Sequence, residues 1–168
     1  NFGWPFLAAL VAATALAALA GILVGIPSLH LRGDYFAIAL LGFGEIIRAL
    51  MKNWTGLTRG PLGVPGIPKP EIFISLGTPG RFLLLSAILA LLVFTVAHRI
   101  THSPFGRVLR AIREDELAAA ALGKDTRRYK TMALALGALF AGAAGSLFAA
   151  HITYVDPSSF TLTETVII

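Results

Sequence analysis

The amino-acid sequence predicts an all-α fold, in which several helices cross a membrane and pack as a polytopic transmembrane bundle. Two observations predict this class: the composition and the length of the apolar runs. Of the 168 residues, 56% are hydrophobic and 14% are charged, and the mean hydropathy is +0.77. Soluble domains average about 45–50% apolar and about 25% charged residues, so this composition indicates a membrane protein.

Four stretches are predicted to span the membrane, since a helix needs about 20 apolar residues to cross a bilayer. They lie at about 5–26, 35–51, 82–100 and 131–154. The second is the weakest because Glu45 and Arg48 fall inside it, and we expect it to be short, broken or buried within the bundle. The first residue is Asn and the last residues resemble the start of another apolar segment, so we expect an internal piece of a longer protein.

The connection at 52–80 contains 6 glycines and 5 prolines in 29 residues. Neither a long helix nor a sheet tolerates that density, so we predict an irregular loop. Eight Lys and Arg residues lie between residues 99 and 130, against four between residues 52 and 81. Because cytoplasmic loops carry the excess of Lys and Arg, the 101–130 segment is predicted to be cytoplasmic and the 52–80 loop extracytoplasmic.

The sequence lacks the residues that several classes of protein function require. The chain has no cysteine, which excludes a disulfide framework, a thiolate nucleophile and a cysteine metal site. The net charge of +5 comes from basic residues beside apolar runs, a pattern typical of membrane orientation and not of nucleic-acid binding. The sequence has no catalytic triad and no G-x-x-x-x-G-K-[ST] motif, so a process driven by ATP would need hydrolysis on another chain.

The predicted cytoplasmic segment includes REDELAAAALGKD, residues 113–125, a charged and alanine-rich stretch between two apolar spans. An alanine run favours a helix of little bulk, which suits docking into a groove on a partner. A solvated loop that merely obeys the charge rule for cytoplasmic segments is the alternative. The pattern alone leaves both interpretations open.

The same segment contains signals for two short helices. Ser103 with Pro104 predicts the start of the first helix, where the hydroxyl caps free amides and proline takes the first helical position. Asp115 predicts the cap of a second helix over residues 116–122, and Gly123 can end it in a left-handed turn. Asp125 with Thr126 is then predicted to cap the next span.

Three long motifs resemble the branched-chain amino acid ABC transporter permease family, in particular its LivM-type inner-membrane subunit. They are LRGDYFAIALLGFGEIIR (31–48), SPFGRVLRAIREDELAAAALGKD (103–125) and AGAAGSLFAAHITYVDPSSF (141–160), and the intervening LTRGPLGVPGIPKP (57–70) follows in the same order. The resemblance covers nearly the whole chain. It implies that residues 1–168 form part of one permease domain in the inner, or plasma, membrane of a bacterium or archaeon.

The resemblance implies a non-catalytic subunit of an ATP-driven importer. Its expected partners are a second permease subunit, cytoplasmic ABC ATPases, a periplasmic or other extracytoplasmic substrate-binding protein and membrane lipid, with no nucleic acid. ATP and Mg²⁺ are expected on the partner ATPase, with no cofactor on this chain. The substrates implied are branched-chain amino acids, although related permeases carry urea or short amides.

Residues 103–125 resemble the cytoplasmic loop that docks on the ATPase in this family, so the short helices are predicted to be coupling helices. The residues predicted to take part in ATPase coupling are Arg110, Arg113, Glu114, Asp115, Glu116, Ala118, Ala119, Leu122 and Gly123. Within this set, Arg110 and Glu114 are four apart and are expected to pair on the first helix. The chain departs from the family at LTRGPLG (57–63), where members usually read LTGGPNG, and at Ala120, where an acidic residue is commoner.

Glu45 and Arg48 lie three apart in the second predicted span, so on a helix they share a face and can pair. Charges are costly within a bilayer, so each is expected to face protein or water. They are interpreted either as residues that line a gate or pathway, or as a structural ion pair.

Small residues repeat every four positions in the last span, among them Gly137, Ala141, Gly142 and Gly145, and this stripe predicts close packing against another helix. His98 and His102 have metal-ligand spacing, but two histidines at a membrane boundary without a suitably placed carboxylate are weak evidence for zinc, and no metal site is predicted.

Two other function classes are weighed against the importer subunit. A secondary transporter or channel would carry its own coupling-ion or filter residues, for which Glu45 and Arg48 are the hint. A membrane enzyme would need polar residues clustered on facing spans, and the sequence lacks such a cluster.

Overall fold

The computed structural model describes residues 6–28, 34–67, 71–72, 74–75 and 79–156 of the chain. Pro5, which starts the first predicted span, and parts of the predicted 52–80 loop lie outside the described residues. The described part is a bundle of helices, which confirms the predicted all-α transmembrane class. The helices are α1 (Phe6–Ser28), α2 (Asp34–Asn53), α3 (Thr55–Thr58), α4 (Pro79–His102), α5 (Pro104–Glu114), α6 (Glu116–Ala121) and α7 (Thr126–Ile152).

Three of these helices are long and apolar enough to cross a membrane. The candidate spans are Phe6–Pro27 in α1, Phe82–His102 in α4 and Thr126–Ile152 in α7. Helix α2 contains the weakest predicted span, and it runs without a break for 20 residues although it includes Glu45, Arg48 and two glycines. These charges pair with each other, which lowers the cost of keeping them on one continuous helix.

The glycine- and proline-rich connection is more regular than the composition predicts. It contains α3, a 3-10 turn at Gly60–Leu62, and three two-residue strands: β1 (Val64–Pro65), β2 (Glu71–Ile72) and β3 (Ile74–Ser75). Strands β2 and β3 pair with each other in antiparallel register. Strand β1 pairs with β4 (Tyr154–Val155), which follows α7. The glycine and proline residues limit each of these strands to two residues. Such a short strand can still form, because it needs hydrogen bonds to only one partner strand.

The end of α7 is fastened to the connection by close backbone contacts. Val64 lies opposite Val155, and the Tyr154 hydroxyl donates to the Leu62 carbonyl at 3.2 Å. Gly63 has a φ of +64°, and a Cβ at this position would lie 2.5 Å from the Val155 carbonyl oxygen. A side chain at position 63 is therefore excluded both by conformation and by space.

Helices α1 and α7 pack against each other along most of their length, in opposite directions. A Cβ on Gly21 would lie 2.6 Å from the Ala138 Cβ, and one on Gly142 would lie 2.6 Å from the Ala17 Cβ. Small residues on both helices thus allow the two backbones to approach closely. At one end of this pair lie β1 and β4, and at the other end lie α5 and α6.

Candidate functional site

Helix α5 begins in a tight turn after α4. The Ser103 hydroxyl accepts a hydrogen bond from the Gly106 amide at 3.4 Å, and Pro104 takes the first helical position, which confirms the predicted cap. Gly106 is buried, and a Cβ there would lie 2.1 Å from the Thr101 carbonyl oxygen. A backbone atom cannot move aside cheaply, so this turn requires glycine.

One face of α5 packs on the bundle and the other is exposed and basic. Ile112 is buried, and the Phe105 ring stacks on Tyr129 of α7 with the ring centroids 5.4 Å apart. Arg107, Arg110 and Arg113 are exposed on the opposite face. The two faces lie along a single helix, so α5 presents positive charge while it stays fixed to α7.

The predicted pairing of Arg110 with Glu114 is wrong. Glu114 pairs with its neighbour Arg113 at 3.0 Å, and Arg110 instead donates to the Thr101 carbonyl at 3.2 Å. That carbonyl belongs to the last turn of α4, where a cation is favoured by the exposed acceptors at a helix C-terminus. Arg110 therefore helps to hold α5 to α4.

Helix α6 is short but has a defined end on both sides. Asp115 accepts hydrogen bonds from the Leu117 and Ala118 amides at 2.9 and 3.0 Å, as predicted for its cap. Gly123 has a φ of +77°, the left-handed conformation expected from the sequence. The amides of Gly123 and Lys124 donate to the Ala120 and Ala119 carbonyls, the pattern of a Schellman motif.

The exposed face of α6 is apolar although the helix lies outside the candidate spans. Leu117 is 71% exposed and Leu122, directly after the helix, is 80% exposed, with Ala118 exposed beside them. Ala119, predicted to take part in docking, is only 3% exposed and lies against the bundle. The exposed apolar face therefore consists of Leu117, Ala118, Ala121 and Leu122, and excludes Ala119.

Helix α6 is tied to the start of α7 by charge. Glu116 Oε2 lies 2.6 Å from Lys130 Nζ, and both side chains are about two-thirds withdrawn from solvent. Asp125 caps α7 by accepting from the Arg128 amide at 3.2 Å, which confirms that predicted cap, and its second oxygen pairs with the Arg128 guanidinium at 2.9 Å. These bonds hold the turn between α6 and α7 in one geometry.

A large cleft lies between α1, α2 and α7, and it reaches the end of the bundle that carries α6. Its volume is about 1290 Å³, and its walls include Val24 of α1, Phe36 of α2 and Leu134 of α7. Glu116 and Lys130 lie at its polar end. The cleft thus joins the small-residue surface of α7 to the ion pair that anchors α6.

The small-residue stripe divides into two faces. Gly142 lies against α1, where its missing side chain leaves room for Ala17. Gly137 and Ala141 are exposed and line the cleft. In the part of the chain that the structure describes, no atom lies within 4 Å of a Cβ built on Gly137 or Gly145.

The remaining predicted residues lie apart from α6. Glu45 and Arg48 on α2 form an ion pair at 2.8 Å and are partly exposed. His98 and His102 on α4 have ring centroids 4.2 Å apart, and His102 Nδ1 lies 2.9 Å from the His98 carbonyl oxygen. Among the residues with described positions, no three His, Cys, Asp or Glu side chains group as metal ligands would.

Three residues of the site were not singled out from the sequence. Gly106 lacks a local signal because its contact is with the preceding helix. Lys130 is 14 residues from Glu116, too far for a spacing rule. Leu117 adjoins the alanine run, and its apolar side chain in a charged stretch was a signal that could have been used.

Comparison with known proteins identifies the family. Residues 1–168 match the family model described as "Branched-chain amino acid transport system / permease component". The chain is 42% identical to the high-affinity branched-chain amino acid transport system permease protein LivM of Escherichia coli strain K12, over 97% of this chain and 44% of that protein. The protein of the same name from Salmonella typhimurium is 40% identical over the same shares.

A more distant relative is the probable branched-chain amino acid transport permease protein LivM of Methanocaldococcus jannaschii. It is 30% identical over 90% of this chain and 45% of its own length. The chain therefore spans less than half the length of these curated relatives, and no solved structure matches it. Together with three helices able to cross a membrane, the matches confirm the resemblance stated above: the chain belongs to the permease-component family of branched-chain amino acid transport systems and is a multi-pass protein of the cell inner membrane.

Proposed function

We propose that this chain forms part of the translocation domain of an ATP-driven importer of branched-chain amino acids, and that α6 is the surface that docks on a cytoplasmic ATPase. The family match and the names of the relatives support the transport class and the substrate class. In this proposal the chain is not an enzyme. ATP and Mg²⁺ bind to the ATPase, whose movement reaches the membrane helices by contact.

The observation that carries the ATPase-docking proposal is the exposed apolar face of α6. Leu117 and Leu122 are largely exposed at positions outside the candidate spans, where water would normally select polar residues. Burying two leucines against a partner would contribute on the order of 3–6 kcal/mol before the costs of association. A loop that contacts only water would not gain this free energy, so the exposure of both leucines favours the docking proposal.

The attachment of α6 to the bundle supports a mechanical role. The helix is capped at both ends, and the buried Ala119 holds its inner side against the bundle. The ion pair between Glu116 and Lys130 connects it to α7, which in turn packs tightly on α1. A push on α6 would therefore move the two packed spans as a unit, without first bending a flexible loop.

Further partners are proposed from the family. They are a second permease subunit, which would complete the pathway, and a substrate-binding protein on the side of β1 and β4. This arrangement places α5 and α6 in the cytoplasm, in agreement with the excess of Lys and Arg between residues 99 and 130. The ion pair of Glu45 with Arg48 is proposed to be structural, since the two charges neutralise each other within α2.

The test is the variant Leu117→Asp/Leu122→Asp in the complete subunit, expressed with its partner proteins. We expect the ATPase to be lost from the purified complex and uptake of labelled leucine, isoleucine and valine to fall at least about tenfold. The matched control for copurification is Leu62→Asp, which should keep the ATPase, because Leu62 is 79% exposed at the opposite end of the molecule. Retention of the ATPase by the double variant would refute docking at α6, and wild-type uptake of urea with no uptake of these amino acids would refute the substrate class.

A further inference from the structure

A second, smaller groove lies between α1 and α7 at the end of the bundle that carries α5 and α6. Its volume is about 400 Å³. Ile22 and Ile26 of α1 and Met132 and Ala135 of α7 form apolar walls, and Ile26 and Met132 are more than half exposed. The groove is separate from the docking face of α6, which includes none of its residues.

Two arginines lie at the polar end of this groove. Arg127 and Arg128 occupy the first turn of α7, and both side chains are exposed. Arg128 shares its charge with Asp125 at 2.9 Å, whereas no ion pair within 4.0 Å involves Arg127 in the described parts of the chain. The Thr131 hydroxyl already donates to the Arg127 carbonyl at 2.9 Å, so the side-chain donors that this groove offers to a ligand are guanidinium N–H groups.

The apolar surface continues past the groove. A neighbouring groove, also of about 400 Å³, shares Met132 and Ala135 and extends toward Ile100 and Phe105. The combined surface is apolar on both sides of Met132 and cationic at one end. A molecule that matches it has an anionic head and more than one hydrocarbon chain.

We propose that this groove binds an anionic phospholipid from the membrane leaflet on the side of α5 and α6. The phosphate would lie against Arg127 and Arg128, because guanidinium groups hold phosphate with paired, charge-assisted hydrogen bonds. One acyl chain would follow Ile22 and Ile26, and the other would cross Met132. Such a lipid would fill the join between α1 and α7 at the level of the membrane surface.

Arg99 distinguishes a specific lipid site from the charge rule for cytoplasmic segments. Arg99 also lies in the last turn of a candidate span at the same end of the bundle, and its side chain is exposed. It contributes to membrane orientation as Arg127 and Arg128 do, but it lines neither of the two grooves. If a specific lipid site exists, removal of the charges of Arg127 and Arg128 lowers lipid retention and removal of the charge of Arg99 does not. If the arginines act only through general electrostatics, both changes have the same effect on lipid retention.

The experiment is native mass spectrometry of the complete transporter, released from nanodiscs that contain equal amounts of phosphatidylglycerol and phosphatidylcholine. We expect the wild type to retain phosphatidylglycerol at least about fivefold more than phosphatidylcholine. One basic residue at a membrane surface produces a preference of about this size, and the charge of Arg128 is already shared with Asp125. Arg127→Gln/Arg128→Gln should abolish the preference, and Arg99→Gln should leave it intact.

A second variant tests the apolar walls of the groove separately from its two arginines. Ile26→Trp fills the apolar channel while both arginines remain, and it should also lower the retention of phosphatidylglycerol. The ATPase should copurify with Arg99→Gln and Ile26→Trp, because neither residue lies on the exposed face of α6 or in the turn between α6 and α7. An unchanged preference in either the double variant or Ile26→Trp would overturn the proposal, as would displacement of the lipid by millimolar inorganic phosphate.

Discussion

Glu116 Oε2 and Lys130 Nζ lie 2.6 Å apart, and this ion pair joins α6 to the first turns of α7. Both groups are partly exposed, so the pair contributes at most about 1 kcal/mol to stability. Its position matters more than its energy, because Lys130 lies on the helix that packs against α1. The pair is thus a direct connection from the exposed apolar face of α6 to the membrane-spanning helices.

The first prediction follows from this connection. Glu116→Gln and Lys130→Gln, each made in the complete subunit, should leave the ATPase bound but lower uptake per ATP hydrolysed by about threefold or more. The charge-swapped variant Glu116→Lys/Lys130→Glu should recover much of that loss, since it restores the attraction. The measurement is uptake together with ATP hydrolysis in proteoliposomes, and equal coupling in all four proteins would show that the pair is not used.

The second prediction concerns the seam between α1 and α7. Gly142→Leu places a side chain where a Cβ alone would lie 2.6 Å from the Ala17 Cβ and 3.1 Å from the Ala13 carbonyl oxygen. We expect the free energy of unfolding in mixed micelles to fall by about 1–3 kcal/mol, the usual cost of overpacking. Gly145→Leu is the matched control, because its Cβ position is open within the described chain. Equal losses in the two variants would mean that the seam does not form as described.

The third prediction concerns the end of α6. Gly123 has a φ of +77°, and no described atom lies within 4 Å of its Cβ position, so only conformation opposes a side chain there. Gly123→Val should cost about 1 kcal/mol or more and reduce both ATPase copurification and uptake. Gly123→Asn should behave closer to the wild type, because asparagine tolerates the left-handed region. A valine variant as active as the asparagine variant would show that the turn is not required.

The fourth prediction tests the orientation. The chain has no cysteine, so a single engineered thiol reports its own position. Leu62→Cys, at the end that carries β1, should react with a membrane-impermeant thiol reagent in intact cells. Lys124→Cys, in the turn after α6, should react only after the membrane is opened. Both positions are exposed, so a difference in labelling reports sidedness, and the reverse result would place α6 on the wrong side for an ATPase.

Local signals made part of the site predictable from sequence. Ser103, Asp115 and Gly123 act on backbone groups within a few residues, and the structure has each in its predicted role. The direction in which α6 faces depends on tertiary packing, so the sequence could not show that Ala119 lies inward and Leu117 outward.

Long-range contacts account for most of what the sequence did not reveal. Strand β1 pairs with β4 about 90 residues later in the chain, and a strand of two residues has no hydrophobic alternation to detect. Gly106 is required by a carbonyl of the preceding helix, which is not evident until the angle between α4 and α5 is known. The three helices able to cross a membrane, α1, α4 and α7, were predictable because each contains an apolar run of sufficient length.

Site-specific photocrosslinking can detect the proposed contact between the exposed face of α6 and the ATPase. A photoreactive amino acid at Leu117 or Leu122 in the complete subunit, illuminated within the assembled transporter, should yield a covalent adduct with the ATPase. The same residue at the equally exposed Leu62, on the other end of the molecule, should yield none. Absence of an ATPase adduct from both positions on α6, or an equal yield from Leu62, would show that this face of α6 does not dock on the ATPase.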